Sequence, residues 1–193
     1  ARILHKRGLD PYAVWIARCR EKGISPWLSM RMNDVHNATN RKDYQHSTFW
    51  VEHPEYHRGP PDSKHWQDRA LDYGIPEVRE HAMSFIRELL ERYDPDGIEL
   101  DWMRFGYHFR VGEEEQGRQT LIHFMRKVRE LANDRAKQRG HPIQVGARVP
   151  THPDAAAQLG MDGAVWAREG LVDMLVATPF FMTSDFDIPI ELW

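Results

Sequence analysis

The chain has 193 residues, a net charge of −3 and a single cysteine, Cys19. This length suffices for one domain with a substantial core, and one cysteine excludes an intramolecular disulfide. With 41% apolar residues and no long apolar run, the composition argues against a transmembrane helix. A pI near 6.4 gives no electrostatic reason to expect nucleic acid or an anionic membrane as a partner.

Helix and strand patterns alternate along the chain. Asp10 is suited to start a first helix and Gly23 to end it. The clearest helix, at 75–93, repeats apolar residues on one face and stops at Asp94-Pro95. The predicted elements are, in order, a helix at 10–23, a strand at 24–33, a helix at 75–93, a strand at 98–103, a helix at 117–138, a strand at 141–149, a helix at 162–170 and a strand at 171–181.

This strict alternation predicts βαβ units and a parallel sheet. The glycine-rich fingerprints of nucleotide-binding doubly wound sheets, G-x-G-x-x-G and G-x-x-x-x-G-K-[ST], do not occur in the sequence. In a (β/α)8 barrel, strand residues alternate between the helix layer and the barrel interior, and active sites lie at the carboxyl ends of the strands. Three predicted strands carry their polar or small residues on one side, which would face such an interior: Ser29, Arg31, Asn33, Glu99, Asp101, Gln144, Gly146 and Arg148.

A full barrel needs roughly 250 residues, whereas four strand–helix units are visible here. The sequence therefore predicts an α/β fold of the (β/α)8 TIM-barrel type, present as an incomplete barrel over residues 1–193. Four parallel strands would leave two edges uncovered, so we expect no closed barrel within these residues. The helices are expected to contribute Trp15, Phe85 and Phe124 to the core.

The stretch at 33–74 is rich in polar and aromatic residues and has no period of its own. We expect it to pack over the carboxyl ends of the strands, where Trp50 and Trp66 could stack on sugar rings. Simple packing of the loop onto the barrel is the alternative for both, and Tyr107 has the same two interpretations. The histidines of this stretch lack metal-ligand spacings such as H-x-H or H-E-x-x-H, so no metal site is predicted.

Three segments carry a resemblance to a known family. They are "GIPEVREHAMSFIRELLER", the "YDPDGIELDWMRF" that follows it, and the later "WAREGLVDMLVATPFF". Together they resemble the family-ten glycosyl-hydrolase-like barrels, in which a "hPeVR" helix leads into "YDvDGIxxDdyrYP" and a "W...GLVDyi.PQ.Y" segment comes later. The resemblance spans most of 76–181. It implies a glycosidase-type (β/α)8 fold that acts on a poly- or oligosaccharide, with Asp101, on the family's fourth strand, as the conspicuous acid.

The same strand is distantly similar to family-eighteen chitinases, which carry D-G-[IL]-D-[IL]-D-W-E there. The stretch "DGIELDW" follows this pattern except that Glu99 replaces an Asp, and Met103 stands in the position of the chitinases' catalytic Glu. A thioether cannot protonate a glycosidic oxygen. The similarity therefore does not extend to chitinase-type, substrate-assisted hydrolysis.

Glycoside hydrolysis usually needs two carboxyl groups, one as acid and one as nucleophile or base. We expect Asp101 to be the nucleophile or a charge stabiliser, kept ionised by an adjacent cation. The alternative is a structural carboxylate paired with an arginine. Glu99, one pleat deeper, is expected to support the site. The sequence does not identify the partner acid. Asp34, Glu52 and Asp185 are candidates, and the acid could also lie on strands outside this segment.

The expected substrate-binding side chains follow the strand ends. Arginine and asparagine at these positions could bind sugar hydroxyls or orient Asp101, although Arg31 could also serve only to neutralise the acids. The predicted set is Arg31, Asn33, Asp34, His36, Trp50, Trp66, Arg104, Tyr107 and Arg148.

The leading functional expectation is a glycoside hydrolase with a carbohydrate substrate and no cofactor, nucleic-acid or membrane partner. Two alternatives stay open: a non-catalytic carbohydrate-binding barrel, and a metal-dependent lyase or isomerase that uses the histidine-rich stretch. The first residues show neither an initiator Met nor a signal peptide and look cut from a longer chain. They leave the compartment open, with export among the options.

Overall fold

A computed structural model describes residues 2–180, 184 and 186–193. The elements are the helices α1 (Arg2–Lys6), α2 (Pro11–Glu21), α3 (Thr48–Glu52), α4 (Pro76–Arg92), α5 (Glu114–Arg139), α6 (Pro153–Gln158) and α7 (Gly163–Arg168), the strands β1 (Trp27–Arg31), β2 (Gly97–Asp101), β3 (Gln144–Pro150) and β4 (Met174–Thr178), and 3-10 turns at Pro54–Tyr56, Trp66–Arg69 and Ile190–Leu192. The four strands form one parallel sheet in the order β1-β2-β3-β4. Strands β1 and β4 are its edges, so the described residues form an open sheet, as predicted. In this part of the chain, no helix has both the length and the apolar character needed to cross a membrane.

Local signals explain where the principal helices begin and end. The carboxylate of Asp10 caps α2 by accepting the backbone N–H groups of Tyr12 and Ala13. Helix α4 begins at Pro76, whose fixed φ suits a first helical turn. Helix α5 ends at Gly140, which adopts a left-handed φ of 78°. Helix α5 starts three residues before its predicted start, and the short helices α1, α3 and α6 were not predicted.

The main core lies between the sheet and the helices. Ile98 and Leu100 of β2 and Val145 of β3 point to the helix side and are fully buried, as the alternation predicts. Apolar residues from α4 and α5 pack against them, and Phe124 of α5 is among the buried ones. The prediction for Phe124 is therefore confirmed.

The same prediction is wrong for Trp15 and Phe85. Their exposed fractions are 61% and 44%, although each lies in an apolar helix pattern. An apolar side chain is buried only where another surface covers it. Helix α4 lies beside the sheet edge at β1, and the described residues provide no further strand there to cover Phe85.

The opposite face of the sheet carries polar groups in cross-strand rows. The register pairs Arg31 with Asp101, and Asp101 with Arg148, so Asp101 has an arginine opposite it in the register of each neighbouring strand. Nearer the start of the strands, the indole of Trp27 lies against Gly97. A Cβ atom at Gly97 would fall 2.5 Å from that ring. Glycine is therefore required at this point for the close approach of the indole.

The segment 33–74 lies across the carboxyl ends of the strands. Asn33 anchors it, because its Nδ2 donates to the carbonyl oxygens of Leu71 (2.9 Å) and Tyr107 (3.2 Å). Its Oδ1 accepts the backbone N–H of Leu71 at 3.0 Å. Asn33 and Tyr107 come after β1 and β2 respectively, so this is the position that the sequence predicts for the segment.

Candidate functional site

Two carboxyl groups of β2 share one arginine. Glu99 and Asp101 point to the polar side of the sheet and are only 9% and 8% exposed. Arg148 donates to Glu99 Oε1 from Nη2 at 2.9 Å and from Nε at 3.1 Å. The same Nε lies 3.8 Å from Asp101 Oδ1. Arg148 is therefore hydrogen-bonded to Glu99 and acts on Asp101 only as a nearby charge, which confirms the expected cation beside Asp101.

The two oxygens of Asp101 differ in their surroundings. Oδ1 accepts the backbone N–H of Met103 at 3.1 Å and of Arg104 at 2.9 Å, whereas Oδ2 has no hydrogen-bond partner among the described residues. Burial raises the pKa of Asp101, and it outweighs the lowering by Arg148 and by the backbone N–H groups. The expected cation lies beside Asp101, but it gives its hydrogen bonds to Glu99, and burial has the larger effect on the pKa of Asp101.

A third carboxyl group, Asp34, follows β1 at the same edge of the sheet and accepts hydrogen bonds from several donors. Its Oδ2 accepts from Arg31 Nη1 at 2.9 Å, and its Oδ1 accepts from the backbone N–H of His36 at 2.9 Å and lies 2.5 Å from His36 Nδ1. Burial tends to raise the pKa of Asp34, but these hydrogen bonds together outweigh burial and lower it.

Arg104 connects Asp101 to Asp34 by way of His36. Its Nη2 lies 3.0 Å from His36 Nε2, and its backbone N–H donates to Asp101. Because a carboxylate can only accept, the contact with Asp34 assigns the proton of His36 to Nδ1 and leaves Nε2 as the acceptor for Arg104. The structure thus brings together predicted site residues from the loops after β1 and β2.

Two predicted substrate-binding residues are engaged in holding the loop. The Asn33 amide is saturated by backbone groups. Trp50 is 4% exposed and donates its indole N–H to the Arg69 carbonyl at 2.8 Å. The rings of His46 and His57 lie against it, with centroid distances of 4.1 Å and 4.6 Å. These contacts favour the packing interpretation of Trp50 over sugar stacking.

Trp66 is placed differently from Trp50. It is 37% exposed, and its ring lies edge-on to Phe105 and Tyr107 at centroid distances of 5.7 Å and 5.8 Å. It also stacks with Phe180, which follows β4, at 6.4 Å. The guanidinium of Arg58 lies 5.3 Å from the centroid of the half-buried Tyr107 ring. Trp66 therefore keeps accessible ring surface at the edge of the sheet that carries Asp101.

A small cavity of about 70 Å³ lies beside Asp101. This volume is below the roughly 300–1,000 Å³ of sites that enclose a drug-sized ligand, so a saccharide would lie across the edge of the sheet. Sequence reasoning missed the contribution of β4, although the rule that active sites lie at the carboxyl ends of the strands also applies there. The cavity is bounded by Asp101, Met103, Arg104, Arg148, Thr178, Pro179 and Phe180.

The three proposed partner acids have different positions. Asp34 lies at the carboxyl edge of the sheet, and Glu52 is exposed at the end of α3. Asp185 falls outside the described residues. Within 2–180, 184 and 186–193, no three His, Cys, Asp or Glu side chains converge in a way that could hold a metal ion.

The sequence matches no protein-family model, and no curated protein matches it at a significant level. The resemblance to family-ten glycosyl-hydrolase-like barrels therefore stays a prediction.

Proposed function

We propose that the sheet is part of a (β/α)8 barrel and that the protein is a glycoside hydrolase acting on a poly- or oligosaccharide. The strand order supports the barrel, because β1 to β4 follow one another in space without the reversal found in doubly wound sheets. The polar face of the sheet and the position of the loop at 33–74 support it as well. A glycosidase-type site would then lie at the carboxyl edge, where Asp34 and Asp101 are found.

The observation that carries the proposal is the contrast between these two carboxyl groups. Burial raises the pKa of Asp101, whereas hydrogen bonds from Arg31 and His36 lower the pKa of Asp34 against the effect of burial. Two carboxyl groups with pKa values moved in opposite directions are the pattern of an acid and its ionised partner. In this proposal Asp101 acts as the general acid, a different role from the nucleophile or charge stabiliser expected from the sequence, and Asp34 is the nucleophile or base.

The geometry assigns the proton to one oxygen. Asp101 Oδ1 accepts two backbone N–H groups, so the proton of the acid form resides on Oδ2. Oδ2 donates this proton to the glycosidic oxygen as the bond to the anomeric carbon breaks. The ionised Asp34 either attacks that carbon or takes a proton from the attacking water. Arg148 and Glu99 are hydrogen-bonded to each other beside Asp101, and Arg148 acts on Asp101 as a nearby charge.

Activated substrates separate the roles of acid and nucleophile. On natural oligosaccharides, we expect Asp101→Asn and Asp34→Asn each to reduce kcat by about a hundredfold or more. On an aryl glycoside whose leaving group needs no protonation, Asp101→Asn should retain most of its activity and Asp34→Asn should not. Glu52→Gln, an exposed carboxylate of the same loop, is the matched control.

Several outcomes would contradict the proposal. Equal loss by Asp101→Asn on both kinds of substrate would remove it as the acid. A well-folded wild-type protein that cleaves no glycan in a broad panel, but binds some of them, would instead support the non-catalytic carbohydrate-binding barrel. Thermal unfolding of each variant separates loss of activity from loss of folding.

A further inference from the structure

A second, larger cavity of about 280 Å³ lies within the loop at 33–74. Its lining includes Arg41, Lys64 and Arg69 but no aspartate or glutamate, although the whole chain has more acidic than basic residues, 29 against 26. The cavity therefore concentrates positive charge on a protein whose net charge is negative. Such a lining favours an anionic ligand over a neutral one.

Two acids near this cavity, Asp68 and Glu55, have partners other than Arg41, Lys64 and Arg69. Asp68 accepts the Ser63 hydroxyl at 2.5 Å and lies 3.7 Å from Arg58, and Glu55 pairs with His53 at 2.9 Å. None of these contacts neutralises the cations of the lining.

The two arginines keep most of their donors for a ligand. Arg41 donates from Nη2 to the Val51 carbonyl at 2.6 Å, and Arg69 donates from Nη2 to the Ser63 carbonyl at 2.9 Å. A guanidinium has five N–H donors, and its planar fork matches a carboxylate or sulfate. Among the described residues, neither arginine forms an ion pair. Both guanidinium groups are thus positioned by backbone carbonyl groups and, in the described part of the chain, are not paired with a carboxylate.

A buried histidine reports the positive charge of this cavity. His57 is 4% exposed, and its Nε2 lies 3.2 Å from the carbonyl oxygen of Trp50, so Nε2 donates. Burial lowers the pKa of His57, and the charges of Arg69 and Arg41 lower it further. The pKa of His57 therefore depends on the charge in the cavity and is expected to respond to any anion that enters it.

One aromatic layer separates this cavity from the cavity beside Asp101. Trp66 lines the cationic cavity and stacks on Phe180, which lines the other. A glycan that crosses the Asp101 cavity would meet the exposed ring of Trp66 and then the cationic lining. Aromatic faces bind the apolar faces of sugar rings, whereas the arginines bind an acidic substituent.

We propose that the cavity around Arg41, Lys64 and Arg69 binds an acidic sugar residue of the substrate glycan, one that carries a carboxylate or a sulfate ester. This inference rests on the proposed glycan-hydrolysing function and specifies its substrate class. The hydrolase acts on an anionic polysaccharide, and the cationic cavity selects it.

The test is calorimetric binding to the full chain with Asp101→Asn, which slows turnover. The probes are tetragalacturonate, a sulfated galactose tetramer and the neutral cellotetraose. We expect at least one acidic tetramer to bind about tenfold or more tightly than cellotetraose, with affinity that falls as salt rises. The probe that binds identifies the acidic group. In a titration followed by NMR, that probe should also raise the pKa of His57.

Substitutions inside and outside the cationic cavity test where the acidic tetramer binds. Lys64→Gln and Arg69→Gln should each weaken the acidic tetramer by about tenfold, the scale of one charge-assisted hydrogen bond. Lys42→Gln removes the same charge from a residue of the same loop that does not line the cavity, and should change little. Arg69 also holds the Ser63 carbonyl, whereas Lys64 is exposed. The Lys64 variant therefore tests the site even if Arg69→Gln unfolds.

The inference and the proposed hydrolase fail in different ways. If cellotetraose binds as tightly as both acidic tetramers, or if Lys42→Gln and Lys64→Gln weaken binding equally, the cationic site is overturned whatever the activity. If acidic tetramers bind with the expected dependence on Lys64 and the wild-type protein cleaves no glycan, the site stands and the hydrolase is overturned.

Discussion

Arg148→Gln should destabilise the protein by leaving a buried carboxylate without its cation. The Glu99 side chain is 12% exposed, and both of its hydrogen bonds from Arg148 would be lost or weakened. Breaking a fully buried pair costs roughly 3–5 kcal/mol. The Arg148 side chain is 36% exposed, which screens the interaction. We therefore expect a loss of about 2 kcal/mol in the free energy of unfolding.

A double-mutant cycle isolates the pair. Glu99→Gln removes the charge but keeps an acceptor, so Arg148→Gln combined with Glu99→Gln should cost less than the two single changes added together, by about 1–2 kcal/mol. Urea unfolding at neutral pH measures all three variants. Arg126→Gln is the matched control, because its pair with Glu169 is exposed and should contribute less than about 1 kcal/mol. If the costs of the two single changes simply added, Arg148 and Glu99 would not depend on each other, and the expected coupling between them would be refuted.

Three further predictions concern stability. Burial raises the folded pKa of Asp101, so the stability that this group contributes is present at low pH and is lost as pH rises through that pKa. In urea unfolding, Asp101→Asn should therefore gain stability relative to wild type from about pH 3 to about pH 7. Burial lowers the pKa of His108 from 6.5 to about 4, so falling pH across this window should cost up to about 3 kcal/mol. His108→Gln, which keeps a donor for the Trp102 carbonyl, should remove that pH dependence, and an unchanged slope would contradict it. Gly97→Ala should cost about 1–3 kcal/mol in thermal unfolding because its Cβ meets the Trp27 ring, and Trp27→Leu in the same chain should recover part of this loss.

The alternation of helices and strands could be predicted from the sequence because it depends on local periodicity. The period of two in "GIELD" separates Ile98 and Leu100 from Glu99 and Asp101, and the structure places these pairs on opposite faces of β2. Alternation of elements likewise indicated a parallel sheet, which the strand pairing confirms. The apolar helix period alone wrongly predicted that Trp15 is buried, because the exposure of a side chain depends on whether another element covers it.

The candidate site required the tertiary structure for a different reason. The sequence placed Asp101 at the end of a strand, but only the register and the contacts show that Arg148 hydrogen-bonds Glu99 instead, so that burial dominates the pKa of Asp101. Asp34 was one of several possible partner acids, and its hydrogen bonds to neighbouring residues became visible only with side-chain geometry.

The aromatic residues of the loop show the same division between sequence and tertiary structure. Trp50 and Trp66 are equivalent in the sequence, as tryptophans in one aperiodic loop. In the structure, rings of His46 and His57 cover Trp50, whereas Trp66 lies open between two cavities. Residue type and local period therefore determined the sheet, its two faces and the strand end that carries the acids. The tertiary structure decided that Asp101 is buried, which raises its pKa, and which tryptophan ring stays exposed, because burial depends on neighbours that are distant in the chain.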